Sequence, residues 1–182
     1  ASDLASKGDG SHASLGFTSG IDNTYDVYEF HMVNMHAEID SDIFGFQFNA
    51  DGATDFDEAI VTTFFKAENA ESGGSPNVAY SASHDQATTD GSGIYQHLAY
   101  DMENDNDEAF SGILTLYAPA NTTYVKHFVA RGNYVHHSGK YSQATYVAGY
   151  INAEEAIDEI SFKFSSGEIQ GGEIYMYGMA KS

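Results

Sequence analysis

Asp42-Ile43-Phe44-Gly45-Phe46-Gln47-Phe48-Asn49-Ala50 decides the fold class. Phe44, Phe46 and Phe48 fall on one face of an extended chain. Gly45, Gln47 and Asn49 fall on the other. That is a period of two, the pattern of a half-buried strand. Asp51-Gly52 closes the segment with a turn signal. Near the other end of the chain, Ile160, Phe162 and Phe164 alternate with Ser161, Lys163 and Ser165. The two phenylalanine faces are expected to oppose one another as layers of one core.

The same reading extends outward from these segments. Tyr25–Asn34 alternates, with Tyr28, Phe30 and Met32 together. Further strands are expected over Ile60–Ala67, Val78–Ser81, Ile94–Tyr100, Ser111–Ala118, Thr123–Ala130, Tyr141–Ile151 and Glu173–Tyr177. Gly132–Gly139 reads as the connection between two long strands, and His84–Gly93 as a polar loop that contains Thr88–Gly91. Gly149 inside a strand signals a bulge or a close backbone approach. The one helical signal is a turn at Asn152–Ala156. Residues 1–20 read as an N-terminal arm with one strand near Ala13–Phe17, and 21–182 as a single domain. About ten strands at this spacing, without strand–helix alternation, point to an all-β, two-sheet antiparallel β-sandwich of jelly-roll-like form.

Composition agrees. The 182 residues include 12 Phe and 13 Tyr, which suit pleated, half-buried surfaces, and 18 Gly, which suit turns. There is no cysteine, so neither a disulfide nor a thiolate metal site can form. Lys plus Arg total 7 against 27 Asp plus Glu, a net charge of −20. Such a field disfavours nucleic acid and anionic membrane surfaces as partners. No signal-type or membrane-spanning apolar run is read in the sequence.

Three groups of residues could carry chemistry. The loop Asp101–Glu108 begins with alternating acids, and Asp101, Glu103, Asp105 and Asp107 are its candidate calcium ligands. It is not an EF-hand: Asn106 stands where glycine is needed and Gly112 where the bidentate glutamate belongs. A solvated acidic loop is the simpler reading. Among the eight histidines, His136 and His137 are adjacent and so point to opposite faces of a strand. His127 shares a face with Val125 and Val129 and reads as a buried, hydrogen-bonded residue. Tyrosines are the stronger binding feature. Tyr95, Tyr100, Tyr134 and Tyr150 are the candidate contact residues, for protein partners first and for glycans second, because a tyrosine offers an apolar face and a polar tip. No nucleophile elbow or histidine-helix motif is present, and no cofactor is expected beyond that calcium ion.

The run Ile157-Asp158-Glu159-Ile160-Ser161-Phe162-Lys163-Phe164-Ser165-Ser166-Gly167, followed by Gly172-Glu173-Ile174-Tyr175-Met176-Tyr177-Gly178, resembles a closing motif of tailed-phage structural proteins. Its form is I-D-x-I-x-F-x-x-x-S-G, then G-x-I-x-L-Y-G, with Met176 in place of the usual leucine. Gly20–Phe30, Asn104–Glu108, Pro119–Phe128 and Ala148–Asn152 are similar, in order, to a subfamily of marine phages. The resemblance implies a non-enzymatic virion protein that decorates the capsid or forms part of a fibre, collar or tail appendage. Its partners would be other virion proteins and further copies of itself, a trimer by analogy. The alternative is a carbohydrate- or receptor-binding β-sandwich module, with or without calcium.

Overall fold

A computed structural model describes residues 12–50, 52–74, 76–87, 93–137 and 140–180, and the backbone of 4–5. The Thr88–Gly91 part of the expected polar loop lies outside the described residues. Twelve strands and no helix are seen among them. They are β1 (Leu4–Ala5), β2 (Leu15–Phe17), β3 (Val27–Ala37), β4 (Asp42–Ala50), β5 (Ile60–Ala70) and β6 (Asn77–Tyr80). Then come β7 (Gln96–Met102), β8 (Phe110–Tyr117), β9 (Lys126–His136), β10 (Tyr141–Ile151), β11 (Ile157–Phe164) and β12 (Ile169–Met179).

The strands form an eight-stranded sheet, ordered β1-β12-β3-β8-β9-β10-β5-β6, and a four-stranded sheet, ordered β2-β11-β4-β7. All pairings are antiparallel. They nest: β5 with β6, β4 with β7, β3 with β8, β2 with β11, β1 with β12. Successive nested pairs alternate between the two sheets. This is the connectivity of a long hairpin rolled into a sandwich, the jelly roll. The β9–β10 hairpin is inserted between β8 and β5. The segment Leu15–Phe17 of the expected arm belongs to the sandwich, with both apolar side chains buried against the core.

The buried apolar side chains make one contiguous core. Here the expectation about facing phenylalanines fails. β4 and β11 are neighbours in one sheet, with Phe46 beside Phe162 and Phe44 beside Phe164. Their rings form a single layer. The opposing layer comes from the larger sheet: Phe30 meets Phe162 at 5.9 Å, Phe110 meets Phe44 at 5.5 Å, and Phe128 meets Phe46 at 5.3 Å. Tilted and edge-to-face packing of this kind is the geometry aromatic quadrupoles prefer.

Three local expectations are also corrected. Thr123–Ala130 does not begin as a strand. The Asn121 side-chain oxygen accepts from the backbone of Thr123 and of Tyr124, both at 2.8 Å, holding a turn until β9 starts at Lys126. β9 then runs on to His136, opposite Tyr141, so most of the expected Gly132–Gly139 connection is strand. Finally, Asn152–Ala156 is not helical. The Lys126 ammonium takes the carbonyls of Ala153, at 2.7 Å, and Glu155, which a helix would need for its own ladder.

Gly149 resolves in favour of close approach. The register of β10 is unbroken on both sides. A Cβ there would lie 2.4 Å from the Val61 carbonyl oxygen and 2.9 Å from the Phe128 ring.

Candidate functional site

The larger sheet buries one face in the core and presents the other outward. On β9 the inward set is Lys126, Phe128, Ala130 and Tyr134, so His127, Val129 and Arg131 face out. His127 is therefore exposed, contrary to its expected burial. Lysine takes the inward place because its ammonium, at the end of a long apolar stem, reaches three carbonyls.

On the outward face, ladder registers align one row across seven strands. Tyr175 on β12 lies beside His31 on β3, then Ile113 on β8, Arg131 on β9, Tyr146 on β10, Phe65 on β5 and Tyr80 on β6. At ~4.8 Å per strand this row spans about 29 Å. Phe65 and Tyr146 stack at 4.8 Å with planes 8° apart, yet stay 42% and 39% exposed. Tyr80 is 56% exposed. Tyr177 lies diagonal to the row, its ring 5.0 Å from that of His31. Arg131, the only arginine, sits at the centre. Aromatics with arginine on an outward sheet face are the composition of a protein interface. Tyr150 lies on the same face, half-buried and 6.1 Å from the His127 ring.

The other candidate tyrosines separate. Tyr100 and Tyr134 are buried. They belong to a polar cluster where β7, the outermost strand of the smaller sheet, meets β5 and β9. The Tyr134 hydroxyl donates to the Tyr100 carbonyl at 3.0 Å and accepts from its N–H at 3.2 Å. It also accepts from Gln143. Burial pushes the Tyr134 hydroxyl pKa up. His84 stacks on Tyr100 at 3.8 Å and pairs Nδ1 to Nδ1 with His97 at 2.8 Å. The His136 ring lies 5.3 Å from Tyr100, and the Lys66 ammonium 5.6 Å from its centroid. Burial, then the neighbouring His97, pulls His84 down to about 4. Burial lowers His97 and His136 as well. Within the cluster His84 and His97 satisfy one another, whereas Nδ1 of His136 is buried without a hydrogen-bond partner.

Tyr95 lies elsewhere, just before β7 on the outer side of the smaller sheet. There it lines a shallow groove of about 220 Å³ with Ile43, Gly45, Ile94, His97 and Lys163. The Lys163 ammonium sits 4.1 Å from the Tyr95 ring centroid.

The four acids of the 101–108 loop face separate partners. Asp101 lies 3.6 Å from His136, and Glu103 contacts His137. The backbone carbonyl of Asp105 meets the His36 ring nitrogen at 2.9 Å, and Asp107 pairs with Lys140 at 2.9 Å. Among the described residues, no three His, Asp or Glu converge on a metal position. The residue that sequence reading passed over is Glu108. It is fully buried, and neither carboxylate oxygen has a hydrogen-bond partner. It lies in the turn before β8, where its backbone N–H donates to the Asp105 carbonyl at 2.9 Å, so no strand alternation in the sequence marked it.

The fold and its surfaces thus define an all-β jelly-roll sandwich with a broad aromatic sheet face. No family model, no curated protein and no solved structure matches the chain.

Proposed function

We propose that this chain is a non-enzymatic structural component of a tailed-phage virion, and that it docks on other virion proteins through the outer face of its eight-stranded sheet. The row from Tyr175 to Tyr80 is the observation that carries this reading. Exposed side chains at Tyr80, Phe65 and Tyr146 leave stacked apolar surface in water, and a partner would bury it. The ordered resemblance to marine-phage segments supports the virion setting. In the polar cluster around Tyr100, His84 and His97 are spent on one another and on ring stacking, which supports a packing role for that pair.

Quantitative mass spectrometry of purified particles tests the setting. The chain is expected at fixed stoichiometry, with many copies for a capsid decoration and few for a fibre or appendage. Its absence from washed particles would overturn the proposal. Phe65→Ser with Tyr146→Ser tests the surface. These exposed changes should leave the isolated fold intact and remove the chain from particles.

A further inference from the structure

The groove beside Tyr95 points to a second binding surface, on the sheet opposite the docking face. We infer that it binds a single carboxylate-bearing sugar, with Lys163 taking the carboxylate and Tyr95, Ile43 and Ile94 flanking the ring.

Lysines are scarce here, and their engagements differ. Lys66 pairs with Glu68 at 2.8 Å and Lys140 with Asp107 at 2.9 Å. Lys126 is buried under carbonyls. Lys163 instead rests over an aromatic ring, and no described carboxylate lies within 4 Å of it. A ring face offsets part of the ammonium's charge but accepts none of its three N–H groups in line. A carboxylate satisfies both charge and donors.

Gly45 forms the floor of the groove. It sits where β4 and β7 change register, and a Cβ there would meet the Gln96 carbonyl oxygen at 2.7 Å. The glycine lets β7 approach and leaves the floor low. The walls are the apolar Ile43 and Ile94, with His97 and the Tyr95 hydroxyl as neutral polar groups. About 220 Å³ is below the ~300–1,000 Å³ of pockets for larger ligands, so one ring fits better than an extended chain. Peptide carboxyl termini are captured by nests of backbone N–H groups. Here β4 and β11 pair without a break beside Gly45 and Lys163, so the backbone groups between those two strands are taken up by the ladder. That favours a sugar acid over a peptide end.

The net charge of −20 selects among anions. Each further negative charge on a ligand adds repulsion from that field, so a monoanion in contact with Lys163 is repelled least. The remaining repulsion is screened within ~8 Å at physiological ionic strength and ~3 Å at 1 M salt.

The test is ¹H–¹⁵N NMR titration of the intact chain with galacturonic acid, N-acetylneuraminic acid, galactose, acetate and N-acetylglycine. Either or both sugar acids should shift the signals of Tyr95, Ile94, Gly45 and Lys163. Galactose, acetate and N-acetylglycine should bind at least about tenfold more weakly. Lys163→Met should weaken the acid sugars by about tenfold or more, and Lys163→Arg should retain them. Because Lys163 lies at the surface, an unchanged spectrum elsewhere verifies that the variants fold. Three results would each overturn the inference: no shift with either acid, equal or stronger binding of galactose, acetate or N-acetylglycine, or unchanged binding by Lys163→Met. None of them bears on whether the chain is found in particles.

Discussion

Two buried ionisable residues, Glu108 and Lys126, meet burial in opposite ways. Glu108 is a carboxyl group sealed from water with no partner on either oxygen. Burial, and then the nearby Asp107, push its pKa up. The folded state therefore holds a proton that the unfolded chain releases, and stability falls as pH rises through that window. Glu108→Gln removes the charge that must be desolvated at neutral pH. It should raise the thermal midpoint by a few degrees at pH 7, for about 1 kcal/mol, with a smaller gain at pH 4. An equal or negative change at pH 7 would show that the carboxylate is compensated. Lys126 is the opposite case, a buried cation whose donors are all spent on the carbonyls of Asn121, Ala153 and Glu155. Lys126→Met keeps the stem and abandons three acceptors. It should cost about 3 kcal/mol or more in urea unfolding. A loss under about 1 kcal/mol would mean that water replaces the ammonium easily.

At the scale of elements, the contact between β7, β9 and the segment around His84 depends on neutral histidines. His84, His97 and His136 all have folded-state values below the ordinary 6.5. Between about 6.5 and about 4 the unfolded chain binds more protons than the folded one at His84, and the lowered His97 and His136 act in the same direction below 6.5. Their contribution is complete above pH 6.5 and is lost as pH falls through that interval. The unfolding free energy from urea titration should drop between pH 7 and pH 5, by on the order of 1 kcal/mol once solvent screening is allowed for. His84→Phe keeps the stack on Tyr100 without the proton site, so it should shrink that drop. Identical sensitivity in the variant would place the effect elsewhere. Element boundaries show where local reading succeeded. Phe44, Phe46 and Phe48 were legible because alternation is a property of one strand. The start of β9 was not, because an asparagine turn and a lysine clamp set it, and the clamp reaches residues far along the chain.

Across the whole molecule, 27 acids against 7 bases leave a self-repelling surface. Compaction brings those charges together, and salt relieves the cost. The thermal midpoint should rise by several degrees between low ionic strength and about 0.5 M sodium chloride. A flat dependence would mean that the acids are dispersed beyond a screening length. Sequence by itself determined the all-β class, the inward phenylalanine faces and the acidic exterior, since each follows from local alternation or from composition. Only the tertiary structure decided which strands share a sheet. It set Phe162 beside Phe46 rather than opposite it, buried Tyr100 and Tyr134, left Tyr95 at a groove beside Lys163, and aligned Tyr175 through Tyr80 into one face. The reason is physical. A period of two says that a side chain has a buried or an exposed side, but pairing between segments more than a hundred residues apart decides what stands there to meet it.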